Sequence, residues 1–129
     1  MTTELQILGW AIVLGLVHLF LDATLKTSQR GLAWNTGPRD GAMPPLEGVA
    51  GRVNRSFSNF LETFPMFAAA VLAVVVSGQG GERAVLGAQV YFWARVAYIP
   101  AYAAGIPYVR SLIWGISLLG ILMVLTALF

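Results

Sequence analysis

The chain contains no cysteine and a single histidine, so several kinds of site are excluded before any pattern is considered. Disulfides, thiolate nucleophiles and thiolate metal sites all require cysteine, and a multi-histidine metal centre requires more than one imidazole. Charged residues are also scarce, at 11% of the 129 residues. A soluble domain carries about a quarter. No basic block with interleaved aromatic residues occurs, so neither a metal nor nucleic acid is expected as a ligand.

The scarcity of charge is matched by an abundance of hydrophobic residues, which make up 57% of the chain. Four apolar segments are each close to the ~20 residues that a membrane-spanning helix requires. Since lipid offers no hydrogen-bond partner to the backbone, helices are the expected spanning form. The sequence predicts an all-α integral membrane protein, an antiparallel bundle of four transmembrane helices with short connections. It is a single domain over residues 1–129, with approximate helices at 3–33, 49–78, 83–104 and 108–129.

Basic residues are distributed unevenly around the predicted connections. One side of the membrane, that of the first and third loops, has Lys26, Arg30, Arg39, Arg52, Arg55 and Arg110. The opposite side has only Arg83. The positive-inside rule therefore predicts that the first and third loops are cytoplasmic and that both termini lie outside.

The second apolar segment begins with polar residues that share one helical face. Arg52, Arg55, Asn59 and Glu62 follow one another at steps of three, four and three, so their side chains point the same way on a helix. Charged groups at membrane depth are costly, and they normally face a bundle interior or a watered cavity, where they mark a functional site. Arginines at the lipid headgroups together with one buried Glu–Arg pair would explain the same stripe without a site.

A second stripe is predicted on the third helix, where Tyr91, Arg95, Tyr98 and Tyr102 recur at steps of four, three and four. Aromatic stripes alone are typical of a core or an interfacial belt. Arg95 within the stripe needs a partner, and Glu62 on the second helix is the candidate.

The first and fourth helices add polar residues at the same end of the predicted bundle. Asp22 can pair with Lys26 one turn later, and His18 is expected to be a packing residue. Arg30 and Arg110 complete a cationic, tyrosine-lined pocket with one carboxylate. Such a pocket suits a small ligand with several carboxylates and at least one amine, because arginine binds carboxylates through paired hydrogen bonds.

The run Arg52-x-x-Arg55-x-x-x-Asn59-x-x-Glu62-x-x-Pro65 resembles the signature of the MAPEG superfamily, the membrane-associated proteins in eicosanoid and glutathione metabolism. Residues 92–103 are similar to the family's third helix, and Arg110 followed by Ser111 is similar to the start of its fourth. The resemblance covers essentially the whole chain. Residues 37–40, together with Tyr98-x-Pro100, suggest a bacterial branch, and hence a bacterial inner membrane.

The resemblance implies a homotrimer that binds glutathione, as a co-substrate, between subunits. It implies that Arg110 is catalytic and stabilises the glutathione thiolate. The glutathione-binding residues expected from the stripes and from the matching positions are Arg30, Arg52, Arg55, Asn59, Glu62, Arg95, Tyr98 and Tyr102. Lys26 competes with Arg30 as the cation contributed by the first helix.

The predicted function is that of a glutathione transferase or peroxidase acting on lipophilic electrophiles or hydroperoxides. Glutathione would arrive from the cytoplasm and the lipophilic substrate from the bilayer. The alternative is a non-catalytic lipid- or partner-binding membrane protein on the same scaffold, because a member of the superfamily binds without catalysis. A proton-coupled exporter is a third class, but it expects an essential carboxylate within the first helix, and Asp22 lies near the end of that helix.

Overall fold

The computed structural model describes residues 2–129, and over these residues the chain forms helices and no strands. The helices are α1 (Thr3–Arg30), α2 (Leu32–Thr36), α3 (Gly48–Val76), α4 (Glu82–Ala103) and α5 (Val109–Ala127). Three of them, α1, α3 and α5, are long and apolar enough to cross a membrane. This all-α architecture points to an integral membrane protein.

Helix α4 differs from the other long helices of the described residues, because its composition does not qualify it as a membrane span. Its 22 residues include the polar side chains of Glu82, Arg83, Gln89 and Arg95. The sequence predicted four spanning helices, whereas three helices of the structure are long and apolar enough to span a membrane. α4 packs against α1, α3 and α5, and these apolar neighbours cover much of its surface.

The first helix is shorter than the predicted range of 3–33. It ends at Arg30 because Gly31 has a φ of 89°, which lies in the left-handed region that glycine adopts without strain. A separate short helix, α2, follows at Leu32–Thr36. The connection from α2 to α3 contains Pro44 and Pro45, which cannot donate backbone hydrogen bonds to a continuing helix.

Contacts near the helix termini show which ends lie together. Glu4 Oε1 accepts a hydrogen bond of 3.0 Å from the Gly81 amide, so the start of α1 lies beside the start of α4. The Gln29 side chain makes two hydrogen bonds, of 2.8 and 3.0 Å, with the backbone of Glu47. The end of α1 therefore lies beside the start of α3. We call this second end the arginine-rich end, since it carries Arg30, Arg39, Arg52, Arg55 and Arg110.

The hydrophobic core occupies the half of the molecule away from the arginine-rich end. Phe67 of α3 and Tyr91 of α4 stack with ring centroids 4.0 Å apart, and the Tyr91 hydroxyl lies 3.0 Å from that of Thr63. Large apolar side chains such as Trp10, Phe20 and others remain exposed on the outside. In lipid, helices associate through close packing rather than through exclusion of water, so the buried contacts hold the chain together and the outer face meets the hydrocarbon.

Helices α4 and α5 approach most closely through two glycines. A Cβ atom added to Gly120 would lie 2.6 Å from the Tyr91 amide nitrogen and 2.7 Å from the Gly87 carbonyl oxygen. A Cβ atom added to Gly87 would lie 2.7 Å from the Gly120 carbonyl oxygen. The backbones themselves are in contact here, as small residues permit in membrane helices.

Gly120→Ala should therefore lower the melting temperature of the detergent-solubilised protein. An inserted methyl group that forces backbone apart typically costs about 1–3 kcal/mol. Gly115→Ala in the same helix is the matched control, because nothing lies within 4 Å of its added Cβ. There the better helix propensity of alanine should leave the melting temperature unchanged or raise it. Thermal unfolding followed by circular dichroism measures both, and equal effects of the two substitutions would contradict the close packing.

Candidate functional site

The arginine-rich end contains a cavity of about 260 Å³ between α3, α4 and α5. Its lining residues are Arg52, Arg55, Tyr102, Gly105, Ile106, Pro107 and Arg110. Three of the residues predicted from the α3 and α4 stripes therefore meet here, together with the predicted catalytic residue at the start of α5. We call this space the arginine cavity.

Tyr102 links two of the arginines across the cavity. Its hydroxyl accepts a hydrogen bond of 3.3 Å from Arg55 Nε, and the Arg55 guanidinium carbon lies 5.9 Å from its ring centroid. The Arg110 guanidinium carbon lies 4.8 Å from the same centroid. Two cations thus share one aromatic ring, which stabilises each through the negative face of the ring.

Arg52 lines the cavity, but part of its guanidinium group is already bonded within the protein. Its Nε donates a hydrogen bond of 2.8 Å to the Ala103 carbonyl, one of the carbonyls that the end of α4 leaves without a helical partner. Gly105, with a φ of 70°, turns the chain away immediately afterwards. Arg52 therefore joins the start of α3 to the end of α4, and only its Nη groups remain for a ligand.

The arginine cavity has no carboxylate among its lining residues. Glu62, which was expected to supply one, is exposed, and over residues 2–129 it takes part in no ion pair. Asn59 is half-buried, and its Oδ1 has no hydrogen-bond partner within the described chain. Neither residue lines the cavity in a single chain, so the cavity is cationic and suited to an anionic ligand.

The predicted pairing of Glu62 with Arg95 is wrong. Arg95 is 1% exposed, and none of its three side-chain nitrogens has a hydrogen-bond partner within residues 2–129. Its guanidinium carbon lies 4.2 Å from the centroid of the Tyr98 ring and 5.9 Å from that of Phe60. Aromatic faces therefore provide the contact that a carboxylate was expected to provide. Glu62 is instead exposed on the surface of α3 and makes no ion pair within the described residues.

Tyr98 connects this buried arginine to the cavity. Its ring contacts Tyr102 edge to face, with centroids 5.5 Å apart. Arg95, Tyr98, Tyr102 and Arg110 therefore form a continuous row, in which two neighbouring rings lie between two cations. Tyr98 does not line the arginine cavity, but it holds the ring that does.

The first-helix cations lie elsewhere. Arg30 stacks on Trp34 at 5.0 Å, and its Nη2 lies 3.5 Å from the Pro44 carbonyl oxygen. Lys26 pairs with Asp22 at 3.2 Å, as the spacing of four residues predicted. Neither residue lines the arginine cavity of its own chain.

One polar contact that joins α1 to α3 was not predicted from the sequence. Asp22 is 3% exposed, and its Oδ1 accepts a hydrogen bond of 3.0 Å from Asn54 Nδ2. Asn54 does not lie on the arginine stripe of α3. Its sequence position, close to Arg52 and Arg55, therefore did not indicate a hydrogen bond with α1. His18, one turn before Asp22, packs edge to face on Phe57 at 5.1 Å, as expected of a packing residue.

The comparison with protein families agrees with the resemblance in the α3 signature. The model described as MAPEG family matches residues 7–129, nearly the whole chain. Comparison with curated protein sequences gives no match. Among residues 2–129, no group of three or more metal-ligating side chains lies together.

Asp22 of α1 and Glu62 of α3 should differ in their effect on stability. Asp22→Ala removes the partner of Lys26 and of the Asn54 amide, and should cost about 1–3 kcal/mol. Glu62→Ala, at an exposed position without an ion pair, should change stability by less than about 0.5 kcal/mol. Melting of both variants in detergent without glutathione compares them. A Glu62→Ala loss as large as that of Asp22→Ala would show that Glu62 is paired after all.

Proposed function

The chain belongs to the MAPEG family, and on that premise we propose that it binds glutathione and transfers it to lipophilic electrophiles, or uses it to reduce lipophilic hydroperoxides. The observation that carries the proposal is the arginine cavity, where Arg55 and Arg110 flank Tyr102 without a compensating carboxylate. Glutathione has two carboxylates, one ammonium group and a thiol. Its net negative charge, which increases when the thiol ionises, matches the charge of this cavity.

We propose that some arginines of the cavity bind glutathione and that another stabilises its thiolate. Arg55, held by the Tyr102 hydroxyl, and the Nη groups of Arg52 would bind the carboxylates of glutathione. Arg110 is exposed at the start of α5, and its guanidinium group lies over the same Tyr102 ring. We assign to Arg110 the stabilisation of the thiolate, because its charge favours the ionised form of a nearby thiol.

The reaction follows from the thiolate. The thiol gives its proton to water, and the resulting thiolate sulfur attacks the electrophilic carbon to form a carbon–sulfur bond. Either a leaving group departs with its electron pair, or a double bond opens and its other end takes a proton from water. With a hydroperoxide, the oxygen–oxygen bond breaks, and two glutathione molecules are oxidised to the disulfide as alcohol and water form. In both reactions a cation beside the sulfur lowers the fraction of thiol that is protonated and unreactive.

A single chain supplies no carboxylate for the ammonium group of glutathione. We propose that a homotrimer supplies it, with each site lying between two chains and with Glu62, Asn59 and Arg30 contributed across the interface. Glu62 is exposed and so is free to face a neighbouring chain. An apolar groove of about 550 Å³ supports close packing of chains and is lined by Met66, Ala69, Ala70, Ala73, Leu118, Ile121, Leu122 and Leu125.

We also propose that α4 crosses the membrane with α1, α3 and α5, as one antiparallel bundle. The contacts of Glu4 with Gly81 and of Arg52 with Ala103 support opposite directions for successive long helices. The charge asymmetry favours an arginine-rich end on the cytoplasmic side, and we propose a bacterial inner membrane with both termini outside it. Water-soluble glutathione would reach the cavity from that side, and the lipophilic substrate would enter past exposed Leu112 and Trp114 on α5.

Arg110→Ala should lower the rate of glutathione conjugation more than it lowers glutathione affinity. Its charge contributes most when the sulfur is ionised, and loss of one such stabilising group typically costs ~10²–10³ in rate. Conjugation of a generic electrophile at saturating glutathione measures the rate, and the ultraviolet absorbance of the bound thiolate measures ionisation. Arg83→Ala is the matched control, because this arginine lies in the first turn of α4, away from the arginine-rich end.

Unchanged conjugation and thiolate absorbance in the Arg110→Ala variant would remove Arg110 from the mechanism. Glutathione binding without conjugation in the unaltered protein would instead identify a binding protein on this scaffold. Cross-linking in detergent, followed by mass measurement, tests the trimer separately, and a monomer would contradict the shared site.

A further inference from the structure

Arg95 lies in the interior of the helix bundle, apart from the arginine cavity. The residue is 1% exposed, and it is not among the residues that line the cavity. Tyr98, on which it packs, is 2% exposed. The guanidinium group of Arg95 therefore presents almost no surface to a ligand in a single chain.

We propose that Arg95 is a positioning residue for the glutathione reaction proposed above, on which this inference rests, and that it acts on Tyr102 through Tyr98. The contacts are continuous. The Arg95 guanidinium carbon lies 4.2 Å from the Tyr98 ring centroid, and the Tyr98 and Tyr102 centroids are 5.5 Å apart. Tyr102 in turn accepts the hydrogen bond from Arg55 and lies under Arg110. A buried cation thus stands at one end of a row whose other end is the cavity.

The backbone of α4 fixes Tyr102 less firmly than an uninterrupted helix would. Pro100 lies within α4, between Tyr98 and Tyr102. Proline has no N–H, so it cannot donate the helical hydrogen bond to the Val96 carbonyl, four residues earlier. The helix ends at Ala103, one residue after Tyr102. Side-chain contacts therefore have a larger share in holding the Tyr102 ring where two arginines meet it.

The contact between Arg95 and Tyr98 restricts the orientation of the Tyr98 ring. A guanidinium group is planar and permanently charged, and it prefers the negative face of an aromatic ring. The planes of Tyr98 and Tyr102 meet at 60°, in an edge-to-face contact that also has a preferred geometry. An orientation imposed on the first ring is therefore passed to the second.

Stability alone does not account for a cation at this position. Within residues 2–129, Arg95 takes part in no ion pair, and its three side-chain nitrogens have no hydrogen-bond partner. The rings of Tyr98 and Phe60 offset only part of the cost of burying its charge. An apolar side chain of similar length commonly serves a buried position as well or better. A residue that breaks this rule is expected where function requires it.

The position of Tyr102 can be observed without glutathione. Fluorine nuclear magnetic resonance of detergent-solubilised protein labelled with fluorotyrosine reports on the four tyrosines of the chain, and loss of a signal in Tyr102→Phe assigns that of Tyr102. Arg95→Met, which removes the charge and keeps an unbranched side chain, should shift or broaden the Tyr102 signal beyond its line width. The signal of Tyr108, which is 86% exposed, should stay unchanged.

Two further variants accompany this measurement. Tyr98→Leu interrupts the row one step nearer the cavity and should change the same Tyr102 signal. Arg83→Met is the matched control, because it removes the same charge from the first turn of the same helix, and it should change no signal assigned to Tyr102. The melting temperature of Arg95→Met should be equal to that of the unaltered protein or higher, since a buried charge has been removed.

Kinetics of the same variants separate positioning from direct contact with the substrate. Arg95→Met should lower the conjugation rate at saturating glutathione by roughly 10-fold, because small displacements of groups at a reacting centre are costly. Arg83→Met should leave the rate unchanged. In a Tyr102→Leu background, Arg95→Met should change the rate by less than about 2-fold, because residues that act through one another are not additive.

Each outcome decides between roles. Equal effects of Arg95→Met in the presence and absence of the Tyr102 ring would show that Arg95 acts on glutathione directly, and would overturn the proposal. An unchanged Tyr102 signal would overturn it as well, and a lower melting temperature together with that unchanged signal would identify a structural role. A failure of the proposed function appears separately, as an absence of glutathione binding by the unaltered protein.

Discussion

The cost of placing charge in apolar surroundings determines where the cations of this chain lie. Over half of the residues are hydrophobic, and the described helices leave many large apolar side chains on the outside. Arginine side chains therefore collect at the helix ends, where water or headgroups can reach them. Arg95 is the exception, and it is buried between the rings of Tyr98 and Phe60. The core, which must be tightly packed and free of charge, occupies the other half of the helices.

This separation explains why the candidate site depends on aromatic rings. With few carboxylates available, Tyr102 and Trp34 contact arginines of the arginine-rich end, and Tyr98 contacts the buried Arg95. A ring stabilises an arginine without neutralising it, so the positive charge remains available to a ligand. An ion pair would have used that charge within the protein. The lack of a carboxylate among its lining residues is thus what makes the arginine cavity receptive to anions.

Much of the site was predictable from helical spacing, because Arg52, Arg55, Tyr98 and Tyr102 fall on regular stripes, and a stripe specifies one face of a helix. The meeting of Tyr102 with Arg110 followed from the short connection at Gly105. Spacing specifies a face but not its rotation relative to other helices. For that reason the sequence paired Glu62 with Arg95, although Glu62 points outward and Arg95 packs on rings.

Loop residues were less predictable than helix faces. The break at Gly31 and the strained Arg39 turn bring Trp34 beneath two arginines, and such contacts depend on backbone torsions that composition does not specify. The hydrogen bond between Asp22 and Asn54 was missed for a similar reason, because it joins two helices through residues that lie on no repeating pattern. The spacing of residues predicts which side chains share a face of a long helix. It does not predict the conformation of a turn or a single polar contact between helices.

The most direct test of the central claim, that glutathione occupies the arginine cavity, uses the absence of cysteine from the chain. Ile106→Cys places a single thiol in the cavity, and Val76→Cys places one at the far end of α3, where that residue is 86% exposed. Mass spectrometry follows the mixed disulfide formed as each thiolate attacks glutathione disulfide and releases one glutathione. The account predicts that the rate at Cys in the cavity saturates with glutathione disulfide concentration and falls when S-methylglutathione competes, while the control position shows neither behaviour. Each rate is divided by the rate of the same cysteine with a neutral disulfide, which corrects for differences in intrinsic thiol reactivity. Equal, non-saturating normalised rates at the two positions would contradict the account.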